Sequence, residues 1–163
     1  MRTADSKIIE RAALADLAGK LRQQGKKIVF ANGCFDILHV GHLRYLAAAR
    51  GEGDVLVVGV NADSGVKRLK GPGRPVLSET ARATLVAALR EVDYVVIFPE
   101  PNVEKLLAEL RPDVHTKGTD YTAETVPEKA TAHRLGIRVA IVGDPKQHST
   151  KELLRSVRQA PHD

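Results

Sequence analysis

Two histidines stand three residues apart, His39 and His42, with Gly41 between them, directly after a short apolar run. Ile28, Val29, Phe30 and Ala31 read as a strand. Asn32 and Gly33, then Cys34, Phe35 and Asp36, make a sharp turn, and Leu43, Leu46 and Ala47 open a helical pattern. Strand, glycine turn and helix is a layout that binds phosphate, because a helix start offers unpaired N–H groups and the positive end of its dipole. That dipole disfavours further positive charge. Both imidazoles are therefore expected to stay neutral and to donate N–H bonds to phosphate oxygens. Gly41 removes a side chain where a phosphate must approach the main chain. One such histidine alone is more simply a cap or a core residue; the pair beside a glycine favours the chemical reading. A metal centre would need a third ligand at good spacing. Even with Asp36 nearby, none is found, and no metal-ligating residue is expected.

Other polar stretches could serve the same ligand. Residues 61–75, NADSGVKRLKGPGRP, are polar, basic and too long for an idle connection. Any one of Lys67, Arg68, Lys70 and Arg74 is more simply a solvated side chain. Several cations on a glycine-bearing loop beside an anion site favour phosphate clamping. Arg82 is a weaker candidate, since arginines on helix surfaces are common. Residues 117–122, KGTDYT, form a second polar turn, in which Lys117 and Gly118 can touch a phosphate or a base and Asp120 can also stabilise its own turn. Ser149 followed by Glu152 matches a capping box, and a helix start at Ser149 and Thr150 can also hold an anion. Asp36 is the carboxylate nearest the first turn. It can orient that turn, bind an acceptor or help hold Mg²⁺, and the residues alone do not rank these roles. Cys34 reads as a small buried residue.

These turns need elements to carry them. Leu14, Leu17 and Leu21 make one stripe of a helix over residues 7–24, available to the chain's own core or to an interface. After the first strand comes a helix over 41–50, then a near-continuous apolar run at 54–60 of the kind buried on both faces. A helix over 78–89, a strand at 94–98 and a helix from Asn102 to Leu110 follow. Next are a strand at 114–116, a helix over 124–135 and a strand at 137–142. A loop at 143–148, the last helix and a frayed tail over 159–163 end the chain. Alternating strands and helices predict an α/β fold: a Rossmann-like, doubly wound, five-stranded parallel sheet with helices on both faces. Every polar turn above follows a strand, so all lie along the carboxyl edge, where such sheets bind ligands.

Composition narrows the function classes. The 163 residues suit one domain, 1–163, with a sizeable core. Charge is +5 and dispersed, which anionic small molecules explain as well as a polynucleotide would. Aromatic–basic interleaving is not visible, so no nucleic-acid partner is expected. There is no run of 18 apolar residues and no secretory signal pattern, so no membrane association is expected. One cysteine excludes an internal disulfide and points to a reducing, cytoplasmic compartment.

At His39-Val40-Gly41-His42, preceded by Gly33-Cys34-Phe35-Asp36, the chain resembles the nucleotidyltransferase superfamily with a His-x-Gly-His signature, in its cytidylyltransferase-like branch. Class I aminoacyl-tRNA synthetases share the signature, but this chain is short for one and shows no tRNA-binding extension. Asn61-Ala62-Asp63, Arg68-Leu69-Lys70-Gly71, Arg74-Pro75-Val76, Lys117-Gly118-Thr119-Asp120-Tyr121 and Ser149-Thr150 resemble the heptose 1-phosphate adenylyltransferases. The likeness spans about residues 26–155. It departs at Thr119, where a second glycine is expected, and at His148-Ser149-Thr150-Lys151, where Ser-Thr-Thr is usual.

The resemblance implies ATP as a substrate with Mg²⁺, a sugar phosphate as acceptor, and a homodimer or higher homo-oligomer. It also implies the stand-alone form of a domain often fused to a sugar kinase. It assigns transfer to His39, His42 and Lys70. Nucleotide binding falls to Asn32, Gly33, Cys34, Phe35, Gly41, Arg74, Lys117, Gly118, Ser149 and Thr150, and acceptor binding to Asp36, Asn61, Asp63 and Asp120. The product would be ADP-heptose for a lipopolysaccharide or other surface glycan. Related transferases remain alternatives: CTP with glycerol 3-phosphate, ATP with a flavin or pantetheine phosphate, or GTP or CTP with a sugar phosphate. A non-catalytic nucleotide-binding module is a different class, against which the intact histidine pair argues.

Overall fold

The computed structural model describes residues 2–145, 147 and 149–160. Its strands are β1 (Ile8–Ile9), β2 (Ile28–Gly33), β3 (Val55–Asn61), β4 (Tyr94–Phe98), β5 (Val114–Lys117) and β6 (Arg138–Ile141). All pair in parallel, in the order β1-β4-β3-β2-β5-β6. The sheet thus has six strands, not the expected five. The addition is the Ile8-Ile9 pair, which sits in register with Val95 and Val96 at the edge. Residues 7–24 are accordingly not one helix. Two 3₁₀ turns, Asp5–Lys7 and Arg11–Ala13, flank the new strand, and α1 covers Leu14–Gln23. Two adjacent β-branched residues suit a strand better than a helix, a preference that the leucine stripe further on had masked.

The remaining helices are α2 (Val40–Arg50), α3 (Asp63–Lys70), α4 (Glu79–Ala87), α5 (Glu104–Leu110), α6 (Lys129–Arg134) and α7 (Thr150–Gln159). Three differ from expectation. Part of the 61–75 loop is α3, which stops at Gly71, whose φ of 87° continues no helix. α6 begins five residues late, because Pro127 offers no N–H and Thr122 and Thr125 bond each other in a turn. α5 begins two residues beyond Asn102, whose side chain accepts from Glu104 N–H at 3.1 Å. The box on α7 forms as expected: Ser149 Oγ accepts from Glu152 N–H at 3.2 Å and Glu152 accepts from Ser149 N–H at 3.1 Å. Lys146 and His148 of the 143–148 loop, and residues 161–163 of the tail, lie outside the described residues.

The sheet is buried on both faces, and alternate residues serve opposite layers. Val29, Ala31, Leu56, Val58 and Val60 pack with Leu46 and Ala49 of α2 and with Ala83, Val86 and Ala87 of α4. Ile28, Phe30, Val55 and Val57 pack with Leu14, Ala18 and Leu21 of α1 and Leu106, Leu107 and Leu110 of α5. The α1 stripe therefore belongs to the chain's own core. Strand order reverses beside β2, since β3 and β5 flank it. A crevice opens there at the carboxyl ends of the strands. Among the described residues, no helix is long and apolar enough to cross a membrane.

Candidate active site

The β2–α2 turn is held in an unusual shape by its own side chains. Phe35 takes a left-handed φ of 49° yet is buried, with its ring edge-on to His42 at 5.4 Å. A Cβ on Gly33 would lie 3.1 Å from that ring, so a larger residue there would need the ring to shift by a few tenths of an ångström. His39 is the N-cap of α2. Its Nδ1 accepts from Gly41 N–H at 3.1 Å, and His42 Nδ1 accepts from His39 N–H at 3.3 Å. The two rings stack at 3.9 Å.

These bonds decide the tautomers. An Nδ1 that accepts a main-chain N–H carries no proton, so the ring proton of each neutral imidazole sits on Nε2. The capping box of α2 is thus made of two histidines, each using Nδ1 as its acceptor.

The turn opens on a cleft of about 1070 Å³ along the carboxyl edge. It gathers His39, Gly41, His42, Asn32, Gly33, Cys34, Phe35 and Asp36 from the first crossover, and Asn61, Lys70 and Arg74 from the second. Lys117, Gly118 and Asp120 follow β5, and Ser149 and Thr150 begin α7. Of the expected residues, Asp63 stands off this lining. Its carboxylate pairs with Arg82 at 2.7 Å and its N–H is taken by Glu79, so it braces the start of α3.

Asp36 has a defined task. Its buried carboxylate accepts from Val76 and Leu77 N–H, each at 2.9 Å, and from Arg74 Nε at 2.6 Å. Burial alone would raise its pKa. The N–H groups of Leu77 and Val76 and the Arg74 guanidinium outweigh that and hold it below the usual carboxylate range. Of its three possible roles, the geometry therefore realises turn orientation: Asp36 ties the basic loop to the phosphate turn. Among the described residues, no group of three His, Cys, Asp or Glu side chains is placed to hold a metal ion.

Arg82, read as a surface arginine, is fully buried. Nη1 donates to Cys34 O and Asn61 O, each at 2.7 Å, Nε donates to Leu77 O at 3.0 Å, and Nη2 meets Asp63. It cross-links the turns after β2 and β3. The signal was its place on the same helix face as Ala83, Val86 and Ala87. Cys34 joins this network through its carbonyl; its side chain is half-buried, not buried as expected, and desolvation still raises its thiol pKa further from reactivity.

His115 was also missed. It is fully buried in β5, and its Nε2 lies 3.0 Å from Asn32 Oδ1. Its Nδ1 has no hydrogen-bond partner among the described residues. An orphaned acceptor is easier to tolerate than an orphaned N–H, so Nε2 carries the proton and donates to Asn32. Burial first, then the nearby Lys117 charge, lowers its pKa to about 3. The unfolded chain takes up a proton near 6.5, whereas the folded chain refuses it until about 3. Stability is therefore lost as pH falls through that window, by at most ~1.4 kcal/mol per pH unit from this group. Denaturant melts of His115→Leu should show a shallower loss between pH 6.5 and pH 4.5 than wild type. Parallel curves would remove His115 as the cause.

A family model described as cytidylyltransferase-like matches residues 30–157. The chain is 47% identical over 153 residues to the bifunctional protein HldE of Syntrophotalea carbinolica, covering 94% of this chain and 31% of that relative. It is 47% identical over 152 residues to the bifunctional protein HldE of Acidiphilium cryptum, covering 93% and 31%. The chain thus spans about a third of the length of these curated relatives. Among solved structures, the lipopolysaccharide core biosynthesis protein from Thermoplasma volcanium GSS1 matches with a TM-score of 0.66 at 30% identity, over 75% of this chain and all of that one.

Proposed function

The chain belongs to the cytidylyltransferase-like family and is a nucleotidyltransferase; from that premise we propose that it transfers AMP from ATP to a heptose 1-phosphate, releasing pyrophosphate and ADP-heptose for a surface glycan such as lipopolysaccharide. The observation that carries the transfer chemistry is the double histidine cap, which takes both Nδ1 atoms into main-chain bonds at the start of α2, in the cleft; in this reading Nε2 carries each ring proton. The choice of sugar rests on the segments around Lys70, Arg74 and Lys117 that resemble the heptose group. It is supported by the similarity to a lipopolysaccharide core biosynthesis protein.

In this reading an oxygen of the sugar phosphate attacks the α-phosphorus of ATP in line. The new P–O bond forms as the bond to the bridging oxygen breaks and pyrophosphate leaves. A phosphate monoester has a second pKa of ~6, so the nucleophile is already largely ionised at neutral pH. No general base or covalent nucleophile is required. Catalysis then consists of alignment and of donors placed where negative charge grows. His39 and His42 supply the Nε2–H donors, while Lys70 and Arg74 meet the flanking phosphates.

The test is pyrophosphate release with ATP, CTP and GTP against heptose 1-phosphate, other hexose 1-phosphates and glycerol 3-phosphate. ATP with heptose 1-phosphate should give the highest kcat/KM. A preference for CTP with glycerol 3-phosphate would overturn the assignment, and no turnover with any pair would favour a binding module.

A further inference from the structure

At the β5 end of the cleft lies an ion pair that the transfer chemistry does not use. Lys117 and Glu128 are 7% and 5% exposed, and Lys117 Nζ stands 3.4 Å from Glu128 Oε2. Both line the cleft. Oε2 receives no hydrogen bond from the described residues, so the contact with lysine is one of charge without hydrogen-bond geometry. The ring of Tyr121, also on the cleft, lies 5.2 Å from the ammonium.

Such an arrangement is poor value as a structural device. A buried ion pair offsets its desolvation only when the remaining lone pairs and protons are satisfied, and an apolar pair of similar volume is often as stable. Here one carboxylate oxygen is buried without a donor, in a residue that lines an open site. The Glu128 oxygen accepts only and the Lys117 ammonium donates only. Adjacent hydroxyls complement that pair, since each can donate to the carboxylate and accept from the ammonium. A flat apolar ring beside them suits the C–H face of a sugar.

We propose that Lys117 and Glu128, with Tyr121 beside them, form a vicinal-diol subsite that holds a sugar ring of one of the two substrates. This deepens the adenylyl-transfer reading and rests on it for the identity of the two sugars. One is the ribose of the nucleotide and the other is the ring of the acceptor. The interaction is a hydrogen bond from a hydroxyl to a buried carboxylate, of the kind that raises affinity about 10-fold or more.

Calorimetry on the full chain separates the two sources. One arm compares ATP with 2′-deoxy-ATP and 3′-deoxy-ATP. The other compares heptose 1-phosphate with its ring-deoxy analogues. Wild type should bind the hydroxylated member of one series about 10-fold or more tightly than a deoxy partner, and Glu128→Gln should abolish that preference in that series. Loss in the nucleotide series assigns the ribose; loss in the other assigns the acceptor. Should Glu128→Gln fold poorly, Lys117→Met/Glu128→Leu replaces the whole pair with apolar groups. It is expected to melt close to wild type and to lack the preference. Equal affinities within both series for wild type, absence of binding included, would overturn the subsite, as would a preference that survives both variants. Pyrophosphate release by wild type is scored separately. Its failure with every acceptor would remove the transfer reading while leaving the measured hydroxyl preference to stand or fall alone.

Discussion

Substituting His42 by alanine lowers kcat by about 10²- to 10³-fold and leaves the protein folded, as for loss of one preorganised donor in a transition state. The side chain does two things that can be separated. Its Nδ1 accepts the His39 N–H and so helps cap α2, and its Nε2 bears the proton that faces the cleft reaction in the proposed mechanism. Alanine removes both. Asparagine places an acceptor near the position of Nδ1 but carries nothing at the position of Nε2. His42→Asn should therefore recover the stability of the cap, worth ~1 kcal/mol or a few degrees in Tm, while kcat stays depressed. His39→Asn should behave in the same way, because asparagine is itself a preferred N-cap. Steady-state pyrophosphate release and thermal melts on the three variants check this. Turnover near wild type in His42→Asn would mean that the ring proton does nothing and that the pair is only a cap.

Local spacing explains why most of the candidate cleft residues were legible and parts of the fold were not. His39, Gly41 and His42 act through local spacing, and local spacing is what a sequence displays. The strand before them, the helix after them and the carboxyl-edge cleft follow from periodicity and connection rules. The two-residue strand at Ile8-Ile9 has no periodicity to show and depends on a partner strand more than 80 residues away. α3 was hidden because Lys67, Arg68 and Lys70 read as loop cations, although glycine at 71 marks a stop. Long-range pairing hid the rest. Nothing near residue 36 says that its carboxylate will collect the N–H groups of Val76 and Leu77. Nothing near Pro127 says that Glu128 will meet Lys117. Such residues are defined by what a crossover brings beside them.

Arg82 shows how much can rest on one such residue, and its removal should give the largest loss of stability. Arg82→Met keeps much of the stem and deletes the guanidinium. Asp63 is 46% exposed and can turn to water, so its loss of a partner is the smaller part. The main penalty lies with the carbonyls of Cys34, Asn61 and Leu77, which lose their donor in a site the methionine keeps dry. At ~1–3 kcal/mol for each unsatisfied group, with relaxation relieving some, a total of about 3–5 kcal/mol is expected. For a chain of this size that lowers Tm by roughly 6–20 °C. Arg82→Lys should recover little, since an ammonium cannot serve four acceptors set out for a planar fork. Because Cys34 and Asn61 line the same cleft as the histidines, kcat should also fall in Arg82→Met at temperatures well below its melt. A Tm within about 2 °C of wild type, or full activity in the lysine variant, would show that the two turns keep their positions without the cross-link and that the phosphate site is held by β2 and α2 alone.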